Sequence, residues 1–383
     1  MTKKRISLLF WVISFLMLSI MVLCWIQYNE WKHSFTKQLH TSLPHAARMS
    51  GTVMKDFHSS AVVGGIGDIL IHDWVYEDAK TKKGYNFKPM FQPIKSILQR
   101  PDLLIANQES IPGGETLGIS SYPSFNSPHE IVDAIMDAGV DFVSTANNHA
   151  LDKGEAGIKN SIAYYDKMNL PYVGTFKNEK DQNTLRIQNI NGIKIAILAF
   201  TYGTNGIPVP KGKDYLVNII DKERILAELS RARRVADFVI LNLHWGIEYK
   251  RFPNEEQKEL AKTFTDGGAD VILGHHPHVL QPIEKLRTKD GRDAVVVYSL
   301  GNFISGQMWD YKDIGGMFDF KVSKDIINNE KKIKISDIHF TPTYVENKNL
   351  HHYRVIPLKI AYKKGLIDHS YNEIMNHMTG GIR

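Results

Sequence analysis

The sequence reads Gly267-Gly268-Ala269-Asp270-Val271-Ile272-Leu273-Gly274-His275-His276-Pro277-His278 at the point that decides both its fold and its chemistry. A short apolar strand, predicted over residues 270–273, follows an amphipathic helix predicted over residues 255–266. Three histidines then fall within four positions. If this proline-containing segment is extended, His276 and His278 project to the same side and suit a transition-metal ion. The alternative is a histidine-rich surface loop.

Five further polar clusters stand at the ends of apolar runs, as the histidines do. They are Gly67-Asp68 with His72 four residues on, Asn107-Gln108-Glu109, Asn147-Asn148-His149, His244-Trp245-Gly246-Ile247-Glu248 and Ser299-Leu300-Gly301-Asn302-Phe303. Open α/β sheets form their sites outside the carboxyl ends of their strands. We therefore expect carboxylate, amide and imidazole groups from distant parts of the chain to converge on a pair of divalent metal ions.

Each cluster taken alone also has an ordinary structural explanation. The segments that contain Asp68 and Glu109 could be turns or polar strand ends, and the Asn-Asn-His segment could cap a helix. A single histidine such as His244 is more often structural than a metal ligand. Asp152 could orient His149, as a carboxylate behind a site does. The shared position of the clusters, more than any one of them, favours a common site.

The rest of the chain alternates apolar strands with amphipathic helices, which predicts an α/β layered domain. The predicted strands are residues 61–70, 102–106, 141–145, 171–173, 185–189, 193–200, 237–243, 270–273, 294–300, 315–322 and 332–340. The predicted helices are residues 89–99, 129–138, 157–168, 221–235 and 255–266. We assign residues 58–362 to this one domain and expect the polar residues 363–383 to form a loosely attached tail.

The composition is that of a globular chain, with 383 residues of which 43% are hydrophobic and 23% charged. The net charge of +6 is uneven, because residues 1–58 carry seven basic and two acidic residues while the remainder is close to neutral. No nucleic-acid-binding module is visible, so we expect no nucleic-acid partner. The one cysteine, Cys24, excludes an intramolecular disulfide and a cysteine-based zinc site.

The uncharged run of residues 6–26 predicts a transmembrane helix, because 21 helical residues span about 31 Å. Basic residues just before it place residues 1–5 in the cytoplasm by the positive-inside rule. The C-terminal domain is then extracellular, behind a single-pass anchor in the cell membrane and a juxtamembrane stalk of residues 27–57. A cleaved signal peptide is the alternative, but the run is long for one and no small-residue cleavage site follows.

In this order the motifs resemble those of the CapA/PgsA poly-γ-glutamate capsule biosynthesis proteins, within the calcineurin-like metallophosphatase superfamily. The likeness covers about residues 60–345. It implies a four-layer α/β/β/α sandwich with a site for two divalent ions, of manganese, iron or zinc, at one edge. By motif it implies these metal ligands: Asp68, Glu109, Asn148, His244, His276 and His278.

The resemblance also implies that His149, with Asp152 behind it, protonates a leaving oxygen or holds phosphate. We add five supporting candidates: His72, Asn107, Glu248, His275 and Asn302. Two positions depart from the superfamily pattern. The first motif usually reads Asp-x-His, whereas His72 stands at a different spacing. The bridging residue is usually an aspartate after glycine, whereas here it is Glu109.

We hypothesise that the chain is a membrane-anchored extracellular component of poly-γ-glutamate capsule synthesis and export, whose site hydrolyses a phosphoester or a related bond. The resemblance implies membrane subunits that polymerise and export the polymer as partners. The anionic polymer and the lipid bilayer are the other expected partners. The alternative function is a non-catalytic module that binds the polymer for export.

Overall fold

Two β-sheets form the centre of the fold in a computed structural model, which describes residues 21–23, 25–29 and 56–382. Its strands are β1 Phe57–Leu70, β2 Lys80–Thr81, β3 Gly84–Tyr85, β4 Leu103–Gln108, β5 Phe142–Ser144, β6 Tyr172–Val173, β7 Arg186–Ile190, β8 Ile193–Thr201, β9 Phe238–His244, β10 Val271–His275, β11 Leu280–Arg287, β12 Asp293–Leu300, β13 Asn302–Ser305, β14 Ile314–Ile327, β15 Glu330–Lys348 and β16 His351–Pro357. The α-helices after residue 56 are α1 Asp73–Ala79, α2 Lys88–Phe91, α3 Lys95–Leu98, α4 Glu130–Ala138, α5 Gly154–Met168, α6 Glu179–Gln182, α7 Lys222–Arg233, α8 Glu255–Asp266, α9 Leu358–Lys363 and α10 Tyr371–Thr379.

Both sheets mix parallel and antiparallel strands: the first is parallel from β1 to its β6 edge and antiparallel on its other side, and the second has a parallel centre with two antiparallel edges. The first has the strand order β16-β15-β14-β1-β4-β5-β6. Strand β13 also belongs to this sheet and pairs with β1. Strand β1 runs parallel to β4 and β13 and antiparallel to β14. The second sheet has the order β11-β12-β10-β9-β8-β7, in which β8, β9, β10 and β12 are parallel. Parallel neighbours need long crossover connections, which explains why strand and helix patterns alternate along the sequence.

The two sheets pack face to face. One apolar cluster joins Ile105 and Phe142 of the first sheet to Ile195, Ile240 and Leu273 of the second, and all of these side chains are buried. Because side chains alternate along a strand, the residues next to these point to the outer face of each sheet.

A layer of helices covers each outer face. Leu104 of the first sheet packs in one cluster with Ile135 of α4. Val239 of the second sheet packs in another with Leu229 of α7 and Phe264 of α8. The predicted α/β class is confirmed, with layers in the order helix, sheet, sheet, helix.

Local sequence signals explain where some helices begin and break. Helix α8 has the bounds that the sequence predicts, and it starts at a capping box in which Asn254 and Gln257 exchange side-chain-to-backbone hydrogen bonds. The prediction of one helix over residues 89–99 is wrong. The chain forms α2 and α3 there, because Pro93 lies between them and has no amide hydrogen to continue a helix.

The expectation of a loosely attached C-terminal tail is also wrong. Helix α10 places Ile374 and Met378 in the apolar cluster between the sheets, where both side chains are fully buried. Only these two residues of the helix are buried. A helix with so few buried residues has a mostly polar sequence, which is why the sequence suggests a tail outside the domain.

The predicted transmembrane run, residues 6–26, lies mainly outside the described residues. Within residues 21–23, 25–29 and 56–382, no helix is both long enough and apolar enough to cross a bilayer.

Candidate metal centre

The carboxyl ends of parallel strands from both sheets meet at one rim. In the first sheet, Asp68 of β1 pairs with Asn107 of β4 and with Asn302 of β13. In the second sheet, His244 of β9 pairs with His275 of β10. The two sheets touch here, since Nδ1 of His275 lies 3.2 Å from Oδ1 of Asp68. The strand-end positions that the sequence singles out are therefore neighbours in space.

Close approach of the backbone requires glycine at two of these strand ends. A Cβ on Gly67 would lie 2.0 Å from the carbonyl oxygen of Gly301, and a Cβ on Gly274 would lie 2.0 Å from that of Tyr298. The backbone N–H of Asp68 also donates to the Gly301 carbonyl at 2.8 Å. Each glycine thus lets two strands approach closely enough to bring the next side chain into the rim.

Five buried side chains form two groups of three that could each hold a metal ion. The first group is Asp68, Glu109 and His244, and the second is Glu109, His276 and His278. Within each group, the ligand atoms lie within 4.8 Å of one another. Glu109 belongs to both groups, which is the arrangement expected of a carboxylate that bridges two cations.

The carboxylate of Glu109 is fully buried, and neither of its oxygens has a hydrogen-bond partner in the described part of the chain. Its Oε1 lies 3.5 Å from Nε2 of His244 and 3.7 Å from Nε2 of His278. Burial raises the pKa of Glu109 well above its usual range. A buried acid without a donor is costly for the fold. A divalent cation among these atoms would offset that cost, so the residues present fit a metal.

Two of the histidines are held in the neutral form that binds metals. Burial lowers the pKa of His276 to about 3 and that of His244 well below its usual value. Nδ1 of His276 is buried and has no hydrogen-bond partner among the described residues. The ring of His276 lies 4.8 Å from that of His244 and 4.6 Å from that of Tyr202, measured between centroids. Neutral imidazoles suit zinc, iron or manganese.

Asp68 and His278 form a buried ion pair, with 3.2 Å between Oδ2 of the aspartate and Nδ1 of the histidine. Burial alone would raise the pKa of Asp68, but hydrogen bonds from His275 and His278 outweigh it and hold the pKa well below its usual range. Burial alone would lower the pKa of His278, but the charges of Glu109 and Asp68 raise it to about 9. A cation that binds here at neutral pH must therefore displace a proton.

The histidine segment is not extended, so that part of the prediction is wrong. His276 and His278 have φ angles of 96° and 59°, in the left-handed region that few residues other than glycine adopt. Both side chains enter the same ligand group because the chain turns tightly after β10. Alternation along a strand is not the cause. Strained backbone of this kind is found preferentially at functional sites.

Asn148 lies beside the first ligand group. Its Oδ1 is 2.8 Å from Nε2 of His244, the same nitrogen that faces Glu109. Its Nδ2 donates to Oδ1 of Asn205 at 3.1 Å, which directs the amide oxygen towards the rim. Asn148 is thus placed to add an oxygen ligand, as the motif implies.

His149 and Asp152 form the pair that the sequence suggests. Nδ1 of His149 lies 2.7 Å from Oδ2 of Asp152, and the same oxygen accepts a hydrogen bond from the backbone N–H of Phe125 at 2.6 Å. The ring of Phe125 also packs edge-on against His149, with 4.6 Å between centroids. Because Nδ1 is engaged by the carboxylate, Nε2 is the nitrogen available to a substrate.

Three of the supporting candidates contact candidate metal ligands directly. Nδ2 of Asn107 donates to Oδ1 of Asp68 at 2.9 Å. His275 contacts the same oxygen, as described above. Oδ1 of Asn302 lies 3.1 Å from Nδ1 of His278. These side chains orient the ligands that they touch, which is the usual task of groups behind a metal site.

The other two supporting candidates stand apart from both ligand groups. Glu248 is exposed and lines the adjoining cavity. Nδ1 of His72 accepts a hydrogen bond from the backbone N–H of Gly306 at 3.2 Å, and burial lowers the pKa of His72 to about 4. The unusual spacing of His72 in the sequence thus corresponds to a position outside the ligand groups.

A cavity of about 480 Å³ opens beside the rim and is lined by His149, His278 and Glu248. Its wall also includes residues that the sequence interpretation missed: Asn205, Ile207, Tyr249 and Gln307. Asn205 comes four residues after the end of β8. The strand-end rule could therefore have found it, but nothing in the local sequence shows that its amide meets Asn148.

Comparison with known proteins bears directly on the family. The model for the family described as "Bacterial capsule synthesis protein PGA_cap" matches residues 63–307. The chain is 31% identical over 296 residues to the PGA biosynthesis protein CapA of Bacillus subtilis (strain 168), an alignment that covers 74% of each protein. It is 36% identical over 190 residues to the capsule biosynthesis protein CapA of Bacillus anthracis, covering 48% of this chain and 44% of that protein.

Solved structures similar to this chain include the calcineurin-like phosphoesterase YfkN from Bacillus subtilis. It is 17% identical, with a TM-score of 0.44, over 85% of this chain and 97% of that one. A 5'-nucleotidase precursor from Thermus thermophilus is 12% identical, with a TM-score of 0.42, over 73% of this chain and 54% of that one. The family match and the Bacillus subtilis relative confirm the family that the motifs predict. The chain belongs to the PGA_cap family of bacterial capsule synthesis proteins.

Proposed function

We propose that this protein is a membrane-anchored, extracellular component of poly-γ-glutamate capsule synthesis whose metal centre hydrolyses a phosphoester or a related bond. The observation that carries the hydrolytic part is the carboxylate of Glu109, buried without a hydrogen-bond donor and shared by two ligand groups. The capsule context comes from the relatives, whose names refer to PGA and capsule biosynthesis. The anchor comes from the uncharged run of residues 6–26.

The ligand residues would hold two divalent cations, with Asp68, Asn148 and His244 on one side of Glu109 and His276 and His278 on the other. Such cations supply Lewis acidity towards a phosphoryl group and lower the pKa of water. This chain's own contribution is to exclude bulk water from the ligand atoms, all of which belong to buried residues. Burial strengthens every charge interaction at the reacting group.

His149 would act as the general acid. Its Nδ1 is held by Asp152, so Nε2 can carry the proton that a leaving oxygen needs. The cavity that adjoins this ring gives room for the leaving part of the substrate. Membrane subunits that polymerise and export the polymer are the partners that this role requires.

A non-catalytic module that binds the anionic polymer for export is the second candidate. The observation that favours it is the position of His72, which leaves the group of Asp68 without the second histidine of the usual first motif. A cation bound there would have fewer protein ligands and less Lewis acidity available to a substrate.

The deciding experiment measures bound metal and hydrolysis in the purified full chain. After exposure to manganese, iron or zinc and removal of free ions, we expect metal in the wild-type protein. We expect metal to be lost from both positions in Glu109→Gln, because both groups share that residue. Glu256→Gln, which changes an exposed glutamate in α8, is the matched control and should keep the metal.

The same preparations are then tested with bis(p-nitrophenyl) phosphate and with purified poly-γ-glutamate. Hydrolysis that falls by roughly 10²–10⁴-fold in His149→Ala, while the metal stays bound, supports the enzyme. Bound metal and polymer binding without any turnover support the export module. A wild-type chain that holds none of the three metals contradicts the proposal.

A further inference from the structure

Strand β1 begins at the end opposite to the one that carries Asp68 of the candidate metal centre. Strand β1 begins at Phe57 and reaches Asp68 eleven residues later, which at about 3.3 Å per residue corresponds to roughly 36 Å. Phe57 pairs with Ile326 of β14, so the turn between β14 and β15 lies at this same end. Nζ of Lys324 lies 5.8 Å from the centre of the Phe57 ring. We call the surface formed by Phe57, residues 324–334 and the cavity described next the basal face.

Basic residues predominate around a cavity of about 570 Å³ on the basal face. Its charged lining residues are Arg233, Arg287, Arg292, Lys331, Lys332, Lys334, Asp237, Asp270 and Asp293. These six positive and three negative groups give a net charge of +3. This excess is local, because the part of the chain after residue 58 is close to neutral as a whole.

Basic partners within 3.0 Å already neutralise the acidic groups of this cavity. The pairs are Asp237 with Lys324 and Lys331, Asp270 with Arg233 and Arg292, and Asp293 with Arg287. Lys332 and Lys334 are exposed, and neither forms an ion pair with a carboxylate of the described residues. Their charges are therefore available to an anion from outside the chain.

Apolar side chains stand exposed at this end of the sheet: by the strand register, Ile327 lies on the same face as Lys332 and Lys334, and Phe57 lies on the opposite face. Phe57 is 39% exposed and Ile327, at the end of β14, is 44% exposed. Lysines next to exposed apolar side chains suit the boundary between lipid headgroups and acyl chains, where both parts find a favourable environment. In the sequence, the run predicted to span a bilayer comes before Phe57.

We propose that the basal face binds the anionic headgroups of the lipid bilayer, an inference that rests on the membrane anchoring proposed above. Lys332 and Lys334 contact the headgroup phosphates, while Phe57 and Ile327 lie at the level of the headgroups. The metal centre, at the other end of β1, is then directed away from the membrane towards the growing or exported polymer. Binding through the lysines weakens as salt screens their charges.

The test uses the full chain in lipid nanodiscs, made either of phosphatidylcholine alone or of phosphatidylcholine with about 30% phosphatidylglycerol, which supplies the anionic surface. The measurement is backbone amide hydrogen exchange of residues 324–334. We expect exchange to be at least about threefold slower on the anionic discs, and the difference to disappear in about 0.5 M salt. The double variant Lys332→Glu/Lys334→Glu should lose this protection, whereas the matched reversal Lys82→Glu/Lys83→Glu in the β2–β3 turn should keep it.

Equal exchange on the two kinds of disc overturns the proposal while leaving the metal centre untouched. If exchange on neutral discs becomes slower when poly-γ-glutamate is added, and does not respond to phosphatidylglycerol, the face binds the polymer. That result also overturns the proposal of lipid binding. If the full chain does not stay bound to neutral discs, the proposed membrane anchor is contradicted. Retention combined with lipid-dependent protection supports the proposal whatever the metal and hydrolysis assays show.

Discussion

Oδ2 of Asp152 lies 2.7 Å from Nδ1 of His149, and the two side chains are 2% and 6% exposed. The same oxygen accepts the backbone N–H of Phe125, so the carboxylate is itself fixed by the chain. An imidazole held in this way has a set orientation and a set tautomer, with its second nitrogen directed to the substrate. In the hydrolysis proposed above, Asp152 would therefore be a positioning residue that acts through His149.

Asp152→Asn should lower kcat for an activated phosphodiester by roughly tenfold to a hundredfold. The asparagine oxygen can take the place of Oδ2 and accept both hydrogen bonds, so the fold should be kept, but the neutral amide cannot stabilise a positive imidazole. We expect bound metal to be unchanged and the alkaline limb of the pH–rate profile, where a general acid loses its proton, to move to lower pH, which a purely structural effect would not produce. The control is Asp368→Asn, at an exposed site. An unchanged kcat and profile in Asp152→Asn would rule out this role.

Metal affinity should rise with pH between about 6 and 9. His278, with a pKa of about 9, holds a proton in the metal-free protein that a cation must displace, and the raised pKa of Glu109 acts in the same direction. Lower pH favours those protons and weakens binding, so affinity gains about tenfold per pH unit for each proton displaced and then levels off. Calorimetric titration of Mn²⁺ in two buffers with different ionisation enthalpies gives the number of protons released.

His72→Asn is the matched control for that titration. His72 lines the same cavity but belongs to neither ligand group, and its lowered pKa leaves it neutral throughout this pH range. Proton release and affinity should therefore match those of the wild type. Affinity that stays flat from about pH 6 to 9, or proton release that disappears in His72→Asn, would contradict the assignment of ligands.

Gly67→Ala should destabilise the protein by at least about 3 kcal/mol and remove the metal. The added Cβ would lie 2.0 Å from the carbonyl oxygen of Gly301 and 2.7 Å from that of Leu300, and backbone atoms cannot move aside as a flexible side chain can. The strands must separate, which displaces Asp68. Urea denaturation and metal analysis measure the two effects. Gly203→Ala, where a Cβ meets nothing within 4 Å, should change neither, and equal behaviour of the two variants would refute the packing argument.

The sequence predicts that the polar strand ends lie together, because one rule applies to these clusters. Residues such as Asp68 and His244 follow apolar strands, and the carboxyl ends of parallel strands must lie at one edge of their sheet. The hairpin turn at Asn191-Gly192 is also predicted correctly from the sequence. Both residues have positive φ, as the turn type that Asn-Gly favours requires. In these places the local chemistry decides the structure without help from the rest of the chain.

Other features depend on contacts that no local pattern reveals. The role of Glu109 in both ligand groups follows from the way two sheets pack, and the contact of Asn205 with Asn148 joins two separate loops. The sequence does not predict strand β16, because the strand is short, begins with two exposed histidines and has only three buried apolar residues: Tyr353, Val355 and Ile356. It does not predict strand β11, because Pro282 interrupts the pattern. Strand β11 pairs with β12, which is well predicted, whereas β16 pairs with residues 343–348 of β15, beyond the predicted bounds of 332–340.

The polar sequence of residues 363–383 predicts a loose tail, whereas the structure forms helix α10 there, and a pair of substitutions in this helix tests the difference. Met378→Ala should lower the free energy of unfolding by about 2–5 kcal/mol, because the fully buried side chain leaves a cavity in the cluster between the sheets. Asn372→Ala, an exposed position in the same helix, should change stability by less than about 0.5 kcal/mol. Both values come from urea denaturation of the full chain. A loosely attached tail would make the two variants equal, whereas a domain completed by α10 requires them to differ by the cost of that cavity.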